Sequence, residues 1–79
     1  MSLAKSEQEL ANRASRFLKA ELKRANVTYE ELAERLKRHG LNETRDSVAA
    51  KLKRGTFAAT FLLACLAALE LEGVRIEDI

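Results

Sequence analysis

Residues 56–69 read TFAATFLLACLAAL, fourteen positions without a charge, and directly before them Lys51-Leu52-Lys53-Arg54 is basic. A membrane span needs about 18 to 20 apolar residues, so this shorter run predicts a helix buried in protein. A helix that is apolar on every side must be covered on every side. With only 79 residues, the chain has few other elements to supply that cover. The run therefore predicts the central core helix of an all-α domain, with one face left for a second copy of the chain. Phe61, Leu62, Leu66 and Leu69 are the candidates for that subunit contact.

Composition agrees with a helical reading. Hydrophobic residues make up 47% and charged residues 33%, with no proline and no tryptophan, as expected of a folded domain rather than a disordered chain. One domain of this size buries roughly 60% of its unfolded surface, a thin margin that subunit contacts would widen. Cys65 is alone; it cannot form an internal disulfide and behaves in an apolar run as a small hydrophobe. The first twelve residues, MSLAKSEQELAN, are polar and mixed in charge, so neither a signal peptide nor a membrane partner is expected, and the cytoplasm is the expected compartment.

Punctuation divides the chain into four helices, at about 7–25, 29–38, 45–54 and 57–71. Ser6 with Glu9 and Thr28 with Glu31 have the spacing of capping boxes, and Val27 is placed to staple onto Leu32. Leu10, Ala14, Phe17, Leu18, Leu22 and Ala25 form the apolar stripe of the first helix; Tyr29, Leu32, Ala33 and Leu36 form that of the second. Gly40 suits a left-handed position that folds Leu41 back on Leu36. Thr44 or Asn42 caps the third helix, which buries Val48, Ala49 and Leu52 and stops at Gly55; Thr56 then caps the fourth. Residues 74–79, VRIEDI, alternate apolar and charged positions and predict a short extended tail. Met1 to Lys5 read as a loose terminus without function.

Charge is unevenly spread. Residues 13–54 hold twelve of the fourteen Lys and Arg against six acids, a local net charge of +6 in a chain whose total is +2. Concentrated positive charge points to an anionic partner, although any single Lys or Arg is equally at home solvating a helix face.

The stretch VTYEELAERL resembles the second helix of the lambda-repressor-like (Cro/CI-type) helix-turn-helix domains, through Thr28, Glu30, Glu31, Leu32 and Ala33. VAAKLKRGTF resembles the end of their recognition helix, through Arg54 and Gly55. The resemblance covers residues 16–72; the TYEELAE and RGTF patterns are also similar to those of small uncharacterised bacterial domains. It implies a compact four-helix, usually dimeric binder of double-stranded DNA, transcription-regulator-like, with helix 3 in the major groove. Residues 37–44 make a longer connection than the usual turn of about 3 to 4 residues. Tyr29 stands where the family often has a phosphate-bonding Gln, and Lys53 where it often has Glu.

Under that resemblance, Arg45, Ser47 and Lys51 on helix 3 are the candidates for reading base edges. Tyr29, Arg38, Asn42, Lys53, Arg54 and Thr56 are the candidates for phosphate contact. Asp46 repels phosphate there, or else favours the positive end of helix 3. No enzyme chemistry, cofactor or metal is expected. His39 has no second ligand at metal spacing, Cys65 has no histidine near it in sequence, and Gly40, Gly55 and Gly73 stop helices rather than form a phosphate loop. The alternative is a protein-interaction module whose apolar fourth helix assembles a homodimer or higher oligomer.

Overall fold

The computed structural model describes residues 3–79, in which the chain forms four α-helices, no strand and one terminal 3-10 turn. Met1 and Ser2, part of the expected loose terminus, lie outside the described residues. The helices are α1 (Glu7–Ala25), α2 (Tyr29–Lys37), α3 (Arg45–Arg54) and α4 (Ala59–Ala68). No helix among the described residues is long and apolar enough to cross a membrane.

Local side-chain chemistry sets the first three starts. The Ser6 and Thr28 hydroxyls each accept the backbone N–H three residues on, at 3.1 Å. The reciprocal half of both expected boxes is missing, because Glu9 takes the Lys5 N–H and Arg13 while Glu31 takes Arg35. A complete box stands at α3 instead. Thr44 Oγ1 accepts the Ser47 N–H at 3.1 Å, and Ser47 Oγ accepts the Thr44 N–H at 2.8 Å.

The helix ends follow a common plan. Asn26 and Gly40 take left-handed φ values of 57° and 82°, and Val27 and Leu41 return their N–H groups to Leu22 and Leu36, the six-to-one bond of a Schellman motif. Val27 and Leu32 are both buried, as a staple requires.

The fourth helix differs from its sequence reading at both ends. It begins at Ala59 behind Ala58, which has no capping side chain, because Thr56 is engaged by the Arg54 guanidinium through its carbonyl at 3.1 Å and its hydroxyl at 3.0 Å. It stops at Ala68 because Glu70 turns left-handed (φ 59°) and the Leu71 N–H returns to Leu66. Arg35 reaches across from α2 to donate to the Ala68 carbonyl at 3.0 Å, placing a cation at the negative end of α4. The tail is not extended. With no strand beside it to take its backbone bonds, it closes local ones, Asp78 to Arg75 and Ile79 to Ile76, in the 3-10 turn Ile76–Asp78.

Packing makes α2 and α3 the hub rather than α4: α2 lies against both α3 and α4, and α1 lies against α3. Leu18, Leu32, Leu36, Val48, Leu52 and Cys65 are the most deeply buried side chains. Phe61 corrects the subunit-contact assignment. It is 2% exposed and its ring lies 5.2 Å from that of Phe57, so it is core. Leu62, Leu66 and Leu69 are half-buried, and α4 instead turns Thr60, Leu63 and Ala67 to solvent. The corner between α3 and α4 presses on α1. A Cβ on Gly55 would stand 3.1 Å from the Ala11 carbonyl oxygen, and the buried Ser15 hydroxyl donates to the Leu52 carbonyl.

Candidate nucleic-acid interface

The third helix buries only Val48 and Leu52. Arg45, Asp46, Ala50, Lys53 and Arg54 are exposed, three cations and one acid around a central methyl group. Of the three candidate base readers, only Arg45 stands on this outer face; its guanidinium meets the exposed Asp46 carboxylate at 3.2 Å.

Ser47 and Lys51 lie one helical turn apart on a flank of α3 that leans inward. Ser47 Oγ donates to Glu43 Oε1 at 2.6 Å while serving the α3 cap. Lys51 pairs with Glu43 Oε2 and sets its ammonium 5.1 Å from the Phe61 ring centroid. Both groups are therefore committed within the domain, which corrects their placement on the outward face. The cause is Glu43, which is 8% exposed although it sits in the connection before α3. Burial pushes its carboxyl up, but the hydrogen bonds from Lys51 and Ser47 outweigh that and hold it below the ordinary value. The same carboxylate touches the core: burial chiefly, with the Glu43 charge adding and Lys51 opposing, pushes the Cys65 thiol up to about 12. Such a thiol is not a nucleophile at neutral pH. The Glu43, Ser47, Lys51 spacing of four and eight was visible in the sequence; the burial of Glu43 was not.

The six candidate phosphate contacts separate. Tyr29 is half-buried and packs against the core. Arg38 lines a polar cleft between α2 and α4 with Glu31, Glu34, His39 and Glu70. Asn42 is exposed in the connection. Arg54 and Thr56 are exposed and bonded to each other, and Lys53 is exposed at the α3 C-terminus beside α1.

The surroundings of α3 are electrostatically polarised. Its first turn shares a cleft with Glu30, Glu34, Glu43 and Asp46 against Lys37 and Arg45. Its last turn shares a cleft with Arg16, Lys19 and Lys53 and no carboxylate. Arg16 and Lys19 did not emerge from the sequence reading as site residues. The signal that could have found them is the absence of any acid three or four positions away on α1. Among the described residues, no three of His, Cys, Asp and Glu converge as a metal site would require.

A family model, described as a domain of unknown function (DUF6471), matches residues 6–74, a span that takes in all four helices. The match names no helix-turn-helix family. No curated protein and no solved structure matches significantly.

Proposed function

The chain belongs to the DUF6471 family, and we propose that it is a double-stranded-DNA-binding domain of helix-turn-helix type, lambda-repressor-like in its order of helices, transcription-regulator-like in role and homo-oligomeric in action. The observation that carries this reading is the outer face of α3. A short helix anchored by two side chains presents Arg45, Lys53 and Arg54 on either side of Ala50, and its small centre lets the backbone approach a groove while the long cations reach outward. Phosphate contact supplies affinity and base contact supplies discrimination.

Titration of a fluorescent duplex at about 50 and 200 mM salt tests the proposal. Several phosphate contacts predict a steep loss of affinity over that range, on the order of 10³-fold for six contacts, and Arg45→Gln should weaken binding about tenfold. No salt-sensitive binding to any duplex at low salt would sink it. A second reading, a protein-interaction module assembled through α4, is favoured by one observation: Leu63 is 64% exposed on a helix without a charge.

A further inference from the structure

We propose that the cleft between α1 and the C-terminal half of α3 is an oxyanion site that takes a phosphate group, held by Arg16, Lys19 and Lys53. The cleft offers about 420 Å³ and carries no carboxylate on its walls, room for a phosphate with part of its hydration shell or with the sugar it esterifies.

The charge pattern of α1 is the first support. Elsewhere on α1 and α2 the cations have acids one turn away: Arg13 meets Glu9, Arg24 meets Glu21, Arg35 meets Glu31 and Lys37 meets Glu34. Arg16, Lys19 and Lys23 instead follow one another at spacings of three and four, with no acid at those spacings on either side. Like charges so placed repel, and the helix ends offer no dipole reason for Arg16 and Lys19 in mid-helix. Glu9 does feel Arg16, but its oxygens already take the Lys5 N–H and Arg13.

The opposite wall is prepared as well. A helix C-terminus ordinarily repels an anion, yet two carbonyls at the end of α3 are covered: Leu52 by the Ser15 hydroxyl and Lys51 by the Gly55 N–H at 2.9 Å. Lys53 makes no ion pair among the described residues. Asn12 accepts from Gln8 at 3.0 Å through its oxygen, which leaves its amide donors for a ligand at the rim.

The nucleic-acid reading bears only on where the phosphate comes from. The ¹⁵N-labelled full chain, titrated with inorganic phosphate at constant ionic strength and separately with duplex DNA, distinguishes the sources. Phosphate should move the amides of Asn12, Lys19 and Gly55, and Arg16→Gln with Lys19→Gln should weaken that binding about tenfold. In the duplex arm, Lys53→Gln should lower the salt slope by about 1. Phosphate shifts in the cleft without duplex binding support a free-phosphate site and overturn the DNA reading. An absence of phosphate shifts at these amides, with no effect of either variant on duplex affinity or slope, overturns the site; phosphate shifts beside duplex binding that neither variant changes assign the cleft to free phosphate and the duplex to another face.

Discussion

Glu43 shows how one carboxylate can fix what its neighbours do. Taken out of water, it draws in the Lys51 ammonium and the Ser47 hydroxyl, and the two side chains that looked outward from α3 lie half-buried along its flank. Its folded carboxyl titrates below the ordinary 4.5, so its contribution to stability is complete above that value and drains away as pH falls through the lower folded one. Glu43→Gln should cost about 1–3 kcal/mol at pH 7, since Lys51 loses its charged partner. In urea denaturation the gap between wild type and variant should close as the pH is taken below 4.5; a gap that stays constant with pH would rule out the ionised carboxylate as its source. At this scale the sequence was partly legible. Helical pairs such as Arg13 with Glu9 can be read from spacing alone, whereas the complete capping box closes on Ser47, outside the Ser/Thr-x-x-Glu/Gln pattern that marks such boxes in a sequence. Nothing local tells that a turn residue will be buried, because its surroundings include side chains of other helices, Ala33 of α2 and Cys65 of α4 among them.

Among the elements, those with side-chain caps were the legible ones: α1 and α3 occupy the residues expected of them, and α2 ends one residue earlier. The fourth was not, because Thr56 had two possible partners, the start of α4 and the Arg54 guanidinium, and the guanidinium holds it. Glycine stops were also legible, although not their unequal cost. Gly40 and Gly55 both adopt left-handed φ, but an added Cβ meets nothing within 4 Å at Gly40 and meets the Ala11 backbone at Gly55. Gly40→Ala should therefore lose about 1–2 kcal/mol from conformation alone. Gly55→Ala should lose about 1–3 kcal/mol more, the cost of pushing α1 away from the corner. Thermal melts of the two variants check the order; equal losses would mean that the corner does not bear on α1.

For the whole molecule, the uncharged run announced burial without saying which side would be buried. An apolar helix has no polar face to orient it, and Phe61 could be assigned outward as easily as inward until α2 took its place against α4. The outer side carries Leu63 rather than Phe61, so the assembly test belongs at Leu63. Leu63→Lys should leave the melting temperature close to that of wild type, since the side chain is 64% exposed, while converting an associating chain into a monomer of 8.8 kDa in sedimentation equilibrium. A wild type that is itself monomeric at high concentration would remove the homo-oligomer from the proposed function. The basic cleft was harder still to foresee, since α1 and Lys53 are distant in sequence and meet only because α1 packs on α3.

That packing order has a consequence for cooperativity. Each substantial helix seam, α1 with α3, α2 with α3 and α2 with α4, joins an element before Gly40 to one after it. Neither half of the chain owns a core: α1 makes no substantial seam with α2, nor α3 with α4, so each half depends on the other for burial. The domain should therefore unfold as a single two-state unit, and cutting the chain between α2 and α3 would divide each of these seams at once.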